Sequence, residues 1–191
     1  AFVRYGNNPK DPKSISAGGV QRVRNDEKGN LWVTTGGSVD KLDRETGEFI
    51  HFKTDPLLPE ALEEKRIYNI QADQVGSLWF STSDGLYNYH PRSGALRHFV
   101  HDSTDGNSLT SNEVNGIYED SKGVIWARTW SGLNELDRMS GKVVRHVSEQ
   151  HDPFSIRSPI INCIVEDSTG NLWVGTEGGG LSVLTHRARQ F

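Results

Sequence analysis

Residues 164–176 read Ile-Val-Glu-Asp-Ser-Thr-Gly-Asn-Leu-Trp-Val-Gly-Thr, and this stretch decides the fold because variants of it occur four times in the chain. Its tryptophan keeps a fixed register, with 47 residues from each copy to the next. A period of about 20 to 50 residues is the signature of a repeat architecture, in which each repeat is one supersecondary unit. The four tryptophans are Trp32, Trp79, Trp126 and Trp173.

Each copy contains short apolar segments that predict a four-stranded unit. Apolar residues stand twelve and nine positions before each tryptophan and mark a first strand, and the tryptophan itself marks a second. Such a meander cannot bury both of its faces alone, so neighbouring units must stack around an axis. The sequence therefore predicts an all-β fold, a β-propeller of four four-stranded blades with the tryptophans buried between blades. The third strands begin at Val39, Leu86, Leu133 and Leu181, and the fourth cover Phe49 to Phe52, Leu96 to Phe99 and Val143 to Val147.

Two recurring turns separate the strands. Asp at the first and Gly at the fourth position favour a type I turn leading into a bulge, because the carboxylate accepts from nearby backbone N–H groups and Gly takes positive φ freely. A calcium loop is the alternative, but Glu27–Lys28 and Gln74–Val75 do not supply oxygen ligands at alternate positions. The first turn starts at Asp26, Asp73, Asp120 and Asp167, and the second covers 43–47, 90–94 and 137–141.

Composition excludes several classes of protein. The 191 residues are 34% hydrophobic and 24% charged, with a net charge of −4 and no basic block, so we expect no nucleic-acid partner. No apolar run approaches the roughly 18 residues of a membrane span, so we expect no membrane insertion by this segment. The first ten residues lack the core of a signal peptide, which suggests a part of a longer protein. Only Leu57 to Lys65 has the pattern of a helical turn.

The quoted stretch, followed by Gly178-Gly179-Gly180-Leu181, resembles the two-component regulator propeller repeat, and the resemblance extends over nearly the whole chain. Repeats of this family occur in periplasmic sensor regions of bacterial hybrid histidine kinases and of some membrane-bound diguanylate cyclases. Their propellers typically have seven blades, precede a β-sandwich and a transmembrane helix, and in many cases recognise carbohydrate fragments. The resemblance implies a periplasmic sensor input domain of an inner-membrane signalling protein that binds a small molecule or an oligosaccharide.

Residues that break the repeat pattern on the loops are the candidate ligand-binding residues, since a rigid scaffold positions such loops. Arg128-Thr129-Trp130 replaces the usual Gly-Thr after the tryptophan strand, and Glu177 occupies the position of Trp130 in the next repeat. An aromatic ring beside an arginine and a carboxylate is suited to stacking on a sugar and binding its hydroxyls. The alternative is that Trp130 packs under the loop from Ser148 to Ser158.

The connections between blades are polar and supply two further candidates. His101 begins the segment His101 to Asn107, and His151 lies in Glu149 to Pro153. Either loop is placed to close over a ligand on the face that carries Trp130.

Catalytic and metal sites are not predicted. His51 and His98 share one repeat position, so repetition explains them, and His98 and His101 face opposite sides of an extended chain. Cys163 is interpreted as a small buried filler in an inner strand. We therefore expect no enzyme activity, no cofactor and no metal. A protein-interaction scaffold and, less favoured, a glycan-active lyase or hydrolase are the alternatives.

The predicted domain organisation is one propeller region over 1–191, with repeats at about 18–65, 66–112, 113–159 and 160–191. Phe2 precedes Val20 by 18 residues, as Phe49 precedes Ile67, so residues 1–6 correspond to the fourth strand of a blade. Phe191 falls at the position of Phe49 in the last repeat, where Arg189 replaces the turn glycine. We expect strand 1–6 to supply or replace the last outer strand, and we expect self-association of a part of a larger propeller.

Overall fold

The structure is a computed structural model, and it describes residues 2–25, 29–36, 38–51, 60–62, 65–90 and 92–185. Strands account for nearly all regular structure in these residues, as the alternation of short apolar segments and turns predicts. The strands are β1 (Val20–Asn25), β2 (Leu31–Thr35), β3 (Ser38–Leu42), β4 (Phe49–His51), β5 (Ile67–Ala72), β6 (Leu78–Thr82), β7 (Gly85–His90), β8 (Ala95–Phe99), β9 (Val114–Glu119), β10 (Ile125–Thr129), β11 (Gly132–Leu136), β12 (Val143–His146), β13 (Ile161–Glu166), β14 (Leu172–Thr176) and β15 (Gly180–Leu184).

The strands form four antiparallel sheets, one for each predicted blade. Three of them have four strands in sequence order, and the fourth has β13, β14 and β15 within the part of the chain that the structure describes. This arrangement confirms the β-propeller blades. We call the sheets blades one to four.

The Asp-to-Gly turn is confirmed. The carboxylate of Asp120 accepts the backbone N–H groups of Lys122 and Val124 at 2.9 and 3.0 Å. Gly123 donates its N–H to the carbonyl oxygen of Asp120 at 2.9 Å and has a φ of 77°, a conformation that glycine adopts without strain. Because the carboxylate oxygens are committed to these donors, the calcium-loop interpretation has no support here.

The same carboxylates also bind the tryptophans. In the three turns whose aspartate the structure describes, the second carboxylate oxygen accepts the indole N–H from the strand that follows, so one side chain closes the turn and satisfies the indole. Trp32, Trp79 and Trp126 are buried, as predicted. Trp173 is only partly buried, so that part of the prediction is wrong. The bonds are Asp73 to Trp79 (2.9 Å), Asp120 to Trp126 (2.8 Å) and Asp167 to Trp173 (2.7 Å).

The chain divides into two compact units, which are Ala1–Ser83 with Tyr87–Arg97, and Asp84–Leu86 with His98–Phe191. Each unit has its own core between successive blades. In the first, Trp32 and Val39 of blade one pack with Ile67, Phe80 and other residues of blade two. In the second, blades three and four are joined by a core of Trp126, Leu133, Ile161, Leu172 and Val174.

Three further predictions concern residues 57–65, Cys163 and the first residues of the chain. The helical turn expected in Leu57 to Lys65 is a short 3-10 helix at Glu60–Leu62. Cys163 lies in an inner strand, but it is exposed rather than buried, which corrects the prediction. Residues 2–8 are not in a strand, and the ring of Tyr5 packs edge-on against Phe49 of blade one, with 5.5 Å between ring centroids.

The pairing proposed for strand 1–6 therefore stays a prediction, as does the division into repeats. The described residues contain no helix with the length and apolar character needed to cross a membrane. The predictions for Asp26, Phe52, Arg189 and Phe191 lie outside the described residues.

Candidate ligand-binding site

Arg128 is fixed between blades three and four. Its side chain projects from β10 and donates two hydrogen bonds to backbone carbonyls of β13, to Ile161 at 3.1 Å and to Asn162. The guanidinium lies directly over Gly116, its cross-strand partner, where an added Cβ would be 2.1 Å from the nearest guanidinium nitrogen. Arg128 thus uses part of its donor capacity to join two blades, a role that its sequence position did not reveal.

Glu177 reaches the same segment from the other side. Its backbone N–H donates to the carbonyl oxygen of Ile160 at 2.9 Å, immediately before the residue that Arg128 contacts. The Glu177 side chain is exposed in the turn between β14 and β15. The structure therefore brings Arg128 and Glu177 to the beginning of β13, as expected for residues of one site.

Trp130 projects into solvent from the turn between β10 and β11, two residues beyond Arg128. Its exposed fraction is 55%, so it does not pack under the loop from 148 to 158. The equivalent positions in the other blades are Gly36, Ser83 and Glu177, which are small or polar. A single exposed aromatic side chain is common on protein surfaces, so Trp130 stays a candidate because it departs from the small or polar residues at this repeat position.

His101 is held within its own connection. Its Nδ1 lies 2.6 Å from the carbonyl oxygen of Leu109, and its backbone N–H donates to the side chain of Asn112. A carbonyl oxygen only accepts, so Nδ1 carries the proton. The imidazole thus stabilises the loop, and only its other nitrogen can face a ligand.

His151 is exposed in the turn from Glu149 to Asp152. The contacts of the described residues do not bring it to Arg128 or to Glu177.

The connections are ordered by a motif that the sequence analysis missed. In three of them, a serine hydroxyl accepts the N–H of the residue six positions earlier and donates to that residue's carbonyl, and the next residue is apolar; the connection before blade two has Ala61 at the serine position and keeps the apolar residue. This motif follows the same 47-residue period, but the segments that carry it are polar and have neither a strand nor a helix pattern. The serines are Ser14, Ser108 and Ser155, and the apolar residues are Ile15, Leu62, Leu109 and Ile156.

Arg145 locks one of these connections onto β12. Its guanidinium donates to the carbonyl oxygens of Asp102, Asp105 and Ser108 and to the Ser108 hydroxyl, at 2.6 to 3.2 Å. His51 has the same repeat position as Arg145 and donates from Nε2 to the carbonyl oxygen of Pro12 at 2.7 Å. These loops are therefore fixed parts of the scaffold rather than lids.

Ser16, Asp40 and His51 lie within hydrogen-bond distance of one another, yet they do not form a hydrolytic triad. The Ser16 hydroxyl and the Asp40 carboxylate both approach Nδ1 of His51, at 3.0 and 2.8 Å. A nucleophilic serine needs the nitrogen opposite the carboxylate, and here Pro12 occupies that nitrogen. The Ser16 hydroxyl also donates to the fully buried Asp40 at 2.7 Å, so the cluster ties the first connection to blade one.

A cleft of about 210 Å³ lies between blades three and four. It is lined by apolar side chains, among them Leu133, Val174 and Leu184, and by polar groups from β12 and the following connection. The predicted residues Arg128, Trp130 and Glu177 do not line it. No group of three or more His, Cys, Asp or Glu side chains is placed to hold a metal ion within the described ranges.

Residues 108–131 and 155–178 match the family model of the two-component regulator propeller. These two stretches are two-component regulator propeller repeats. Each matched regulator propeller repeat begins at the serine of a connection, Ser108 or Ser155, and ends just beyond a candidate residue, Trp130 or Glu177. The connection motif and the candidate site thus belong to the repeat itself. Among curated proteins, none matches the chain.

Solved structures share the fold of the regulator propeller repeats. The extracellular domain of BT3049 from B. thetaiotaomicron, named as a hybrid two-component system, is 24% identical over 96% of this chain and 29% of that chain, with a TM-score of 0.62. The corresponding domain of BT4673 from the same organism is 18% identical over 90% of this chain and 22% of that chain, with a TM-score of 0.71.

PorZ, a surface component of the type-IX secretion system of Porphyromonas gingivalis, is 18% identical over 98% of this chain and 29% of that chain, with a TM-score of 0.67. Puromycin hydrolase is 15% identical over 91% of this chain and 27% of that chain, with a TM-score of 0.51. The chain thus spans less than a third of the length of each of these proteins. The fold alone does not choose between sensing, assembly and catalysis.

Proposed function

We propose that the chain is a non-catalytic, ligand-sensing part of a bacterial membrane-bound signalling protein. The regulator propeller repeats support this proposal, and so do two structural neighbours that are named as extracellular domains of hybrid two-component systems. The same comparison supports an extracytoplasmic location, which we propose to be the periplasm, as part of an inner-membrane sensor. A transmembrane helix followed by a kinase or cyclase sequence downstream in the parent gene is the expected context, and a cytoplasmic enzyme domain fused there without a membrane span would contradict it.

The ligand class that fits the site is a carbohydrate or a related small molecule. The observation that carries this proposal is the exposure of Trp130 beside an arginine that the blade interface holds rigid. An indole presents an apolar face to the C–H groups of a sugar ring, and a fixed scaffold limits the entropy lost on binding. Glu177, exposed at the equivalent position of the next blade, supplies a carboxylate that accepts from sugar hydroxyls.

A panel of soluble oligosaccharides, screened by tryptophan fluorescence and then by calorimetry, tests the ligand class. Trp130→Ala should weaken binding by about 1–3 kcal/mol because the stacking surface is removed. Met139→Ala is the matched control, since Met139 is an exposed apolar side chain in the turn at the opposite end of the same sheet. Equal loss in both variants, or no loss in either, would place the ligand elsewhere.

A protein-interaction scaffold is the second candidate function, favoured by the almost complete exposure of Phe154 on the connection after blade three. Exposed aromatic side chains are enriched at protein interfaces. If this function is correct, the oligosaccharide panel gives no binding, and Phe154→Ser lowers the affinity for a protein partner. Turnover of any glycan by the unmodified chain would instead support the enzyme alternative.

A further inference from the structure

The first connection is held on blade one by a hydrogen-bonded cluster with two titratable side chains. The carboxylate of Asp40 accepts the backbone N–H of Ser16 through Oδ2 and the Ser16 hydroxyl through Oδ1, both at 2.7 Å. Nδ1 of His51 lies 2.8 Å from the same Oδ1, and its Nε2 lies 2.7 Å from the carbonyl oxygen of Pro12. We call Ser16, Asp40 and His51 the blade-one lock. It fixes the connection at two points, Pro12 and Ser16.

Blade three holds its connection with side chains that do not titrate. Asn134, at the repeat position of Asp40, accepts the backbone N–H of Thr110 at 2.8 Å and donates from Nδ2 to the Thr110 hydroxyl at 3.0 Å. Arg145, at the repeat position of His51, donates to the backbone of the same connection. An amide and a guanidinium keep their protons in the ordinary pH range. The two blades therefore use the same positions, but the blade-one lock has replaced permanent donors with an acid and a base.

The short contact between Asp40 and His51 requires a proton. A carbonyl oxygen only accepts, so Nε2 of His51 donates its hydrogen to Pro12. If Nδ1 had no hydrogen, its lone pair would face an ionised Oδ1 across 2.8 Å. The Ser16 hydroxyl has one hydrogen and cannot satisfy both acceptors. The lock therefore holds one proton between Nδ1 and Oδ1, whichever of the two atoms carries it.

Burial makes the loss of this proton costly. Asp40 is fully buried, and 25% of the His51 side chain is exposed. A buried carboxylate is tolerated when it is paired and hydrogen-bonded, and removal of its partner leaves an uncompensated charge. Deprotonation of the lock removes that partner and leaves Asp40 with the two donors of Ser16. The connection is then held less strongly.

Four other charged side chains neighbour the lock in sequence and are engaged elsewhere. Lys13 of the connection and Glu48, which precedes β4, form an ion pair of 2.8 Å. The carboxylate of Asp11 accepts the backbone N–H of Lys13 at 3.0 Å. Lys41 follows Asp40 in β3, so it points to the other face of the sheet, where it lies over an indole ring. Within the part of the chain that the structure describes, the shared proton is therefore the titratable element of this contact.

The connection leads directly to the turn that corresponds to the candidate ligand-binding turn. Gly18 follows the lock by two residues and lies against Gly36, since an added Cβ would be 2.9 Å from the Gly36 nitrogen. Gly36 stands at the repeat position of Trp130. A change in how the connection is held therefore reaches the turn between β2 and β3.

We propose that the blade-one lock is a pH-sensitive fastening of the first connection, tight while it holds its proton and loose once the proton is lost. Histidine in an unfolded chain loses its proton near about pH 6.5. The stabilisation by the lock is therefore fully present below about pH 6.5 and is lost as the pH rises through the range in which the folded lock releases the proton. This device goes beyond ligand sensing and does not depend on it.

Amide hydrogen exchange of the whole chain, read by mass spectrometry, tests the proposal. After correction for the intrinsic effect of pH, residues 8–16 should exchange at least about tenfold faster at about pH 8 than at about pH 5.5. Residues 102–109, which Arg145 holds, are the internal control and should keep their protection at both values. An equal response of the two segments, or no response of residues 8–16, would overturn the proposal.

Replacing the lock with that of blade three tests its cause. Asp40→Asn combined with His51→Arg should keep residues 8–16 protected at both pH values, because the new donors do not titrate. His51→Gln should exchange these residues at one rate at both values, and it carries the test if the double variant does not fold. His151→Gln, at an exposed histidine of another connection, is the matched control and should respond to pH as the unmodified chain does. A pH response that persists in the double variant or in His51→Gln would assign it to another group and refute the proposal.

Discussion

The burial of a repeat tryptophan depends on whether another blade covers its side chain. Trp126 is fully buried because blade four covers its face, and its indole N–H is satisfied by Asp120. Trp173 has the same sequence context and the same aspartate bond, yet it is only partly buried. The two tryptophans share one sequence motif and one hydrogen bond, so their contributions to stability should differ because their burial between blades differs.

Replacing these two tryptophans should have unequal effects. Trp126→Ala should lower the free energy of unfolding by about 3–5 kcal/mol, through lost burial and a residual cavity, whereas Trp173→Ala should cost about 1–2 kcal/mol. Urea denaturation of both variants measures the difference. An unchanged midpoint for Trp126→Ala would contradict the assignment of this residue to the core.

Gly116 and Arg128 should behave as a coupled pair. A methyl group at position 116 would displace the guanidinium from the carbonyl oxygens of Ile161 and Asn162, so Gly116→Ala should cost about 1–3 kcal/mol. In the Arg128→Ala background the same change should cost little, since nothing then occupies that space. A double-mutant cycle with additive effects would show that the two residues do not interact.

Turns and connections are the elements that set the geometry of the blades. Their aspartates accept local backbone and hydroxyl donors in the folded chain. The backbone N–H of Ser140, followed by its hydroxyl, holds the pKa of Asp137 below its ordinary 3.8, and the Thr169 hydroxyl, with the Trp173 indole second, lowers that of Asp167. A carboxyl whose pKa is depressed by folding stabilises the protein above its unfolded pKa and loses that contribution as the pH falls.

Stability should therefore decrease as the pH is lowered from about 5 to about 2, below the ordinary aspartate pKa. Asp137→Asn should make this acid-induced loss smaller, because one titrating group is removed. Ser140→Ala should have an intermediate effect, since it removes the hydroxyl donor but keeps the backbone N–H. Thermal unfolding midpoints across this pH range provide the measurement, and a pH-independent midpoint would exclude the mechanism.

At the scale of the whole molecule, burial at one repeat position differs between blades. Val20 and Leu181 are exposed, whereas Ile67, at the repeat position of Val20, and Leu133, at that of Leu181, are 1% and 2% exposed. The chain spans less than a third of the length of the structural neighbours it matches.

The sequence alone determined the features that depend on local chemistry and on the period. The strands around Val39, Leu86 and Leu133 and the Asp-to-Gly turns could be predicted because backbone conformation and alternation of side chains follow from neighbouring residues. The placement of Trp130 on the turn between β10 and β11, with Glu177 equivalent to it, followed from the same register, whereas its exposure was left open by the sequence.

Only the tertiary structure decided which repeat positions are buried and which side chains bridge blades. The contact of Arg128 with a ligand stays a prediction, whereas its hydrogen bonds to β13, which pass over Gly116, are visible only when the strands are paired. The contact of His101 with a ligand also stays a prediction, and only the structure shows that its Nδ1 donates to the carbonyl oxygen of Leu109. Trp173 follows the repeat pattern and is still only partly buried, because burial depends on the packing of blades and not on the residue's own segment.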